Sequence, residues 1–121
     1  MPERNVTTGQ HTRVMTVDEK GAGGAFHHYM VVDVPSVERQ APRLFADINF
    51  QSGPIGEGGV NGAQNEDLIA VVLDRLQCFQ GGEFPCEENQ EAIDHLSKAL
   101  EALNRRTAKR IERGVEGKSE E

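Results

Sequence analysis

Five cations fall within a short stretch near the end of the chain: Arg105, Arg106, Lys109, Arg110 and Arg113, with Glu112 the one acid among them. Five bases against one acid leave a local charge of +4. Four of the five are arginines, whose planar forks suit bidentate contact with phosphate and stacking on bases better than lysine's point charge does. On a helix, Arg106 and Arg110 stand one turn apart on the face that carries Leu103 and Thr107, which places them beside a packing seam. A plainer account fits the same residues. Acids early in a helix (Glu87, Glu88, Glu91) and bases late in it (Arg110, Arg113) complement the macrodipole, each by roughly 0.3–1 kcal/mol. Charge pattern alone leaves both accounts open.

A second group lies in the segment from Phe79 through Phe84 to Asn89. An aromatic face and a side-chain amide held close together could stack on a purine and read its edge. The default is that Phe79 and Phe84 cap a hydrophobic core and Asn89 is solvated. A third candidate is the glycine-dense run from Gly53 to Gly62, since backbone amides in such loops often cradle phosphate. The signature fails: there is no Gly-x-x-x-x-Gly-Lys-Ser/Thr, and a Gly-x-Gly-x-x-Gly reading from Gly56 meets Asn61 where the third glycine belongs. A tight multi-turn connection is the better reading, with the Asn61 amide a candidate for a pocket edge.

Catalytic and metal chemistry find little support. His27 and His28 are neighbours in an extended segment and point to opposite faces, and Cys78 and Cys86 lack a second ligand pair. No His-x-x-x-His, serine elbow or Cys–His constellation is present. The expectation is a binding protein without catalytic residues, metal or cofactor.

The elements that must position these groups follow from hydrophobic spacing. Met1 to Gln10 is polar and reads as a flexible arm. Arg13–Val17 and Phe26–Val34, joined through Gly21-Ala22-Gly23-Gly24, read as a hairpin. Pro35 and Pro42 bracket a polar connection, and Leu44, Ala46, Ile48 and Phe50 then alternate as in a third strand. Asn65 is placed to cap a helix bearing Leu68, Ile69, Val72, Leu76 and Phe79 and ending near Gly81-Gly82. A second helix carries Ile93, Leu96, Leu100 and Leu103 at coiled-coil spacing and ends around Gly114. The fold class expected is therefore α+β, a small N-terminal antiparallel sheet followed by an antiparallel helical hairpin. Its parts are an arm (1–10), a β-rich region with the glycine loop (11–62), the hairpin (63–114) and a frayed tail (115–121), with 11–114 forming one domain.

Composition bounds the partners. The 121 residues carry a net charge of −7, 36% of them are hydrophobic, 13 are glycine and none is tryptophan. Such a core is thin for a chain of this length, so assembly that buries further apolar surface is expected. The acidic total argues against coating DNA, RNA or anionic membrane. No run approaches the roughly 20 apolar residues of a membrane span, the polar start has no apolar signal region, and two cysteines suit a reducing cytosol.

Several blocks, taken together and in order, resemble one phage family. They are Phe50-Gln51-Ser52-Gly53-Pro54-Ile55, Gly59-Val60-Asn61-Gly62, Asn65-Glu66-Asp67-Leu68, Asp74-Arg75-Leu76-Gln77, Phe84-Pro85-Cys86-Glu87-Glu88-Asn89 and Arg105-Arg106-Thr107-Ala108-Lys109-Arg110. The family shares a helical hairpin between Thoeris anti-defence and anti-CBASS proteins, and the β-rich first half resembles its Thoeris anti-defence type one branch. The resemblance implies a non-catalytic sponge in the cytoplasm of the infected bacterial host. It would sequester cyclic ADP-ribose isomers made by TIR-domain enzymes, with cyclic di- and trinucleotides as further ligands. It also implies assembly through the hairpins into dimers and a hexamer (a trimer of dimers), with pockets at subunit boundaries. Carried over by motif position, Phe79 and Asn89 hold the cyclic ADP-ribose and Arg106 contacts its phosphates. Arg105, Thr107 and Arg110 would belong to a cyclic trinucleotide pocket, and Arg13 or Arg43 could add an arginine from the first half.

Two competing readings stand beside this one. A small phosphodiesterase would need a general base near the phosphates, for which His27, His28 and His95 are the candidates. An interaction protein would use the hairpin to bind a helical partner, its basic end serving only the dipole.

Overall fold

A computed structural model describes residues 3–34 and 43–114. The polar connection between Pro35 and Pro42 and the tail from 115 to 121 lie outside the described residues. The chain divides into two compact units: one holds the residues up to Gly53 together with Gly58–Ala63, the other Pro54–Glu57 and the residues from Gln64 onward.

The first unit is a four-stranded antiparallel sheet in sequential order: β1 (Arg4–Thr8), β2 (Thr12–Thr16), β3 (His28–Asp33) and β4 (Leu44–Asn49). Within the segment expected to be a flexible arm, Arg4–Thr8 instead forms the edge strand β1. All five of its residues are exposed, so no alternation of apolar residues announces it, and backbone pairing to β2 holds it. Two contacts of Arg4 reinforce that pairing. Its Nε donates to Thr16 Oγ1 at 3.3 Å, and its guanidinium lies 4.0 Å from the centroid of the Phe26 ring. Thr16 is fully buried, between Met15 and Val17 on the opposite face of β2, and these with Val32 make the small core of the sheet.

The register explains two exposed apolar residues. Val31 pairs with Ala46 but Val32 pairs with Leu44, so Phe45 bulges out of the β3–β4 ladder and both Leu44 and Phe45 are exposed. Beyond β4, Phe50 packs edge-on against Tyr29 with centroids 5.5 Å apart and forms a parallel bridge with Ala63. That return is possible only because residue 62 is glycine: a Cβ there would stand 2.4 Å from the Phe50 carbonyl carbon.

A single turn, α1 (Ile55–Gly58), comes before the two long helices of the second unit, α2 (Asn65–Gln80) and α3 (Glu87–Glu112). The cap of α2 is Gln64, one residue before the Asn65 expected from sequence, and Asp67 Oδ2 accepts the Gln64 backbone N–H at 2.8 Å. The helix ends where Gly81 N–H returns to the Gln77 carbonyl. Helix α3 starts at Cys86, whose sulfur accepts the Asn89 N–H at 3.4 Å, while Gln80 Oε1 accepts the Cys86 N–H at 2.8 Å. The two helices form the expected hairpin across this short connection.

Ile93 is buried in the hairpin, and Leu96, Leu100 and Leu103 are half-buried as the coiled-coil spacing predicts. On α2 the half-buried stripe is Ile69, Leu73, Leu76 and Gln80, with Leu68 at its margin. Val72 and Phe79, placed on the packing stripe by sequence periodicity, are exposed, as is Val71. A single hairpin therefore leaves an apolar side of α2 uncovered.

Candidate functional site

The last two turns of α3 bring the basic residues together. Arg105, Arg106, Lys109, Arg110 and Arg113 line a cavity of about 640 Å³, open to solvent, with Ala102 and Glu112 completing its wall. Helical spacing accounts for the arrangement, because 102, 105, 106, 109, 110 and 113 recur at intervals of three and four and share one face. Arg110 is buried and Arg106 is exposed, so the two arginines expected beside the seam differ in depth. Thr107 is half-buried on α3 but does not line the cavity. Among the described residues, neither Arg105 nor Arg106 has a hydrogen-bond or ion-pair partner, and Lys109 and Arg113 likewise have no side-chain partner. The clustered guanidinium groups, those of Arg105, Arg106 and Arg113 without a carboxylate partner among the described residues, make a strong local field for a multiply charged anion.

Phe79 and Asn89 lie at the other end of the hairpin, one in the last turn of α2 and the other in the first turn of α3. The Phe79 ring is 44% exposed, and the Arg75 guanidinium sits 5.0 Å from its centroid. Asn89 is half-buried; its backbone N–H goes to the Cys86 sulfur, and among the described residues its carboxamide has no hydrogen-bond partner. Phe84 is not the core cap that its size suggested: at 79% exposed it projects from the connection.

The two groups are far apart within one chain. Asn89 and Arg106 are separated by 17 positions of continuous helix, about 25 Å at 1.5 Å per residue. Residues expected to meet on one small ligand are thus presented at opposite ends of the same rod.

Other candidates are tied into the first unit. The Asn61 side chain is closed on its own loop, accepting from the Ser52 N–H at 2.7 Å and donating to the Ser52 carbonyl at 2.8 Å. Gln51 completes the clasp, accepting from the Asn61 N–H and donating to the Gly53 and Gly59 carbonyls at 3.0 and 2.9 Å. The glycine run is a braced multi-turn connection, with Gly53 and Gly59 at positive φ. The Asn61 amide is a structural clasp rather than a pocket edge.

Arg43 is likewise engaged. Its backbone N–H and its Nε bond the two Asp33 carboxylate oxygens at 2.6 and 3.2 Å, and its guanidinium lies over the Phe45 ring. Arg13 lies on β2 with its Nε enclosed and unpaired. His28 Nε2 meets Asp47 Oδ1 at 2.5 Å, and His27 Nε2 contacts the Ala22 carbonyl at 2.9 Å. The His27 backbone N–H donates to Asp18 at 3.0 Å and holds that carboxyl below the usual aspartate range. Among the described residues no group of three or more His, Cys, Asp or Glu could hold a metal, and no helix is long and apolar enough to cross a membrane.

An antiparallel sheet followed by a helical hairpin, cationic at one end and aromatic at the other, defines a small α+β protein built to present side chains along a rod. The family model described as the Acb2/Tad1 hairpin domain matches residues 44–108, from β4 to the edge of the basic cluster. A relative named Thoeris anti-defense 1, from Bacillus phage SBSphiJ7, is 45% identical across 92% of this chain and 92% of its own length. The chain belongs to the Acb2/Tad1 hairpin family.

Arg75 escaped the reading of chemistry from sequence, although its spacing was informative. It stands one helical turn before Phe79 and has no acid at helical spacing.

Proposed function

We propose that this protein is a phage anti-defence sponge, which binds cyclic nucleotide immune messengers in the cytoplasm of the infected bacterium and withholds them without cleavage. The messengers are glycocyclic ADP-ribose isomers from TIR-domain enzymes, with cyclic di- and trinucleotides as further ligands. The observation that carries this reading is the open cavity where Arg105, Arg106 and Arg113, which have no side-chain partner among the described residues, gather in a chain that is acidic overall. That pattern favours small, multiply phosphorylated ligands over long polyanions, because the cationic field is confined to one helix end. The anti-defence name of the 45% identical relative points the same way.

Geometry supports shared pockets. A cyclic ADP-ribose cannot reach from Phe79 and Asn89 to Arg106 across about 25 Å of one hairpin. Two hairpins packed head to tail bring the aromatic end of one beside the arginine end of the other, so one chain stacks and reads the base while its partner holds the phosphates. The exposed Val71, Val72 and Phe84 supply apolar surface for that packing. Arg105, Thr107 and Arg110 would serve a cyclic trinucleotide where copies of α3 converge, in a hexamer formed as a trimer of dimers. Enclosure between subunits excludes water and slows release.

The test is to incubate the protein with glycocyclic ADP-ribose, separate it from free nucleotide, denature it by heat and identify what is released. Depletion of the nucleotide followed by recovery of the intact molecule is expected. A hydrolysed product, or no depletion at all, overturns the proposal.

A further inference from the structure

The stretch from residue 65 to residue 104 contains nine acids and only two bases, Arg75 and Lys98. The two bases occupy different surroundings. Lys98 has Asp94 one turn before it and Glu101 three residues after it, the ordinary setting of a solvated helix cation. Arg75 has Val71, Val72, Cys78 and Phe79 at the positions three and four residues away, none of them an acid. Among the described residues it makes no ion pair, and its one contact is with the Phe79 ring, 5.0 Å from guanidinium carbon to ring centroid.

An arginine in this position does two things. Lying over the Phe79 ring, it braces a side chain that is itself 44% exposed and so open to a base. A contact with a ring leaves the guanidinium's N–H donors without a carboxylate partner among the described residues, and so available to an oxyanion. A base on an aromatic ring and a phosphate on the arginine that braces the ring are two parts of one nucleotide.

Resting on the sponge reading above, we infer that Arg75 is a further ligand-binding residue, one that holds a phosphate of the nucleotide whose base stacks on Phe79. The aromatic end of the hairpin then supplies a cation of its own and does not depend on the arginines of α3 for all of the phosphate charge. Lys98 makes no comparable contribution.

The test is calorimetric titration of the full-length protein with glycocyclic ADP-ribose, comparing wild type with Arg75→Ala, Arg75→Gln and Arg75→Lys, and with Arg106→Ala as a reference. Circular dichroism and molecular mass in solution are followed in parallel. Arg75→Ala and Arg75→Gln should each weaken binding by about ten-fold or more. Arg75→Lys should recover part of the loss, with helix content and mass unchanged in every variant. Binding within about two-fold of wild type in Arg75→Gln, while Arg106→Ala binds poorly, overturns the inference and leaves the sponge intact. So does an equal loss in Arg75→Gln and Arg75→Lys, which would assign the residue to bracing the ring alone. If the wild type itself does not bind glycocyclic ADP-ribose, the sponge reading falls and the inference with it.

Discussion

Many polar side chains in the sheet unit close on the protein itself, the enclosed Nε of Arg13 being an exception, whereas several in the hairpin do not. Gln51 and Asn61 lace the glycine loop, Asp18 takes the His27 N–H, Asp33 holds Arg43, and Arg4 reaches Thr16 and Phe26. In the hairpin, Arg105, Arg106 and the Asn89 carboxamide have no such partner among the described residues. A polar group satisfied within its own unit stabilises that unit; one held on a rigid helix without a partner is available to something else. On the proposed function the contrast separates residues that build the protein from residues that would meet a ligand, and it can be broken by experiment.

The largest effect is expected from Arg106→Ala. Affinity for glycocyclic ADP-ribose should fall by on the order of 100-fold, the scale of removing a charged hydrogen-bond partner from an enclosed phosphate. The melting temperature should hardly change, since no internal partner of Arg106 is lost. Parallel calorimetry and thermal melting check both halves, and a large drop in melting temperature would break the comparison.

Asn61→Ala should behave in the opposite way. Losing the two bonds to Ser52 should destabilise the protein by about 1–2 kcal/mol, read as a lower denaturation midpoint. Nucleotide affinity, measured well below that midpoint, should remain near the wild-type value.

The smallest effect concerns Asp18, whose carboxyl is held below its ordinary range mainly by the His27 backbone N–H. A depressed folded-state pKa contributes stability above the unfolded pKa, near 4, and that contribution disappears as pH falls through the lowered value. Asp18→Asn should therefore melt slightly below wild type at neutral pH, with the gap closing as the pH falls through the lowered pKa. A gap that widens on acidification would contradict this sign.

The hairpin was the more legible region because two long amphipathic segments declare their period. Ile93, Leu96, Leu100 and Leu103 turn inward as spaced, and both helices end close to their glycines. The choice of face on α2 was less legible: Val72 and Phe79 sit on the edge of the apolar arc, and only the packed partner decides that Leu73 turns inward and they do not. Strand β1 was illegible for another reason, since an edge strand held by backbone bonds and one arginine has no burial pattern to read.

The candidate site was legible in part. That the basic residues gather on one helix face could be read from charge and helical phase, and they line one cavity, while their purpose was left open between a ligand and the helix dipole. Phe84 and Asn61 depended on details of chain path that composition does not carry. The former is carried outward by a short connection, and the latter is captured by a neighbouring backbone. Arg75 was overlooked because a lone base in an acidic stretch looks like solubility, and only its lack of acids at helical spacing marks it out.

Helix α3 can also be considered as a ruler. For a ligand gripped by the start of one copy and the end of another, the distance and phase between Asn89 and Arg106 are as much a part of the recognition surface as their side chains. One inserted residue would push the arginine end about 1.5 Å outward and rotate it by about 100°, enough to aim it at solvent. Two whole turns, seven residues, would nearly restore the phase, leaving it about 20° out, but would move the end by a further 10 Å or so. On the shared-pocket reading, charges along the flanks of α3 can therefore change at little cost to binding while its length cannot, and insertions are better borne by the glycine loop.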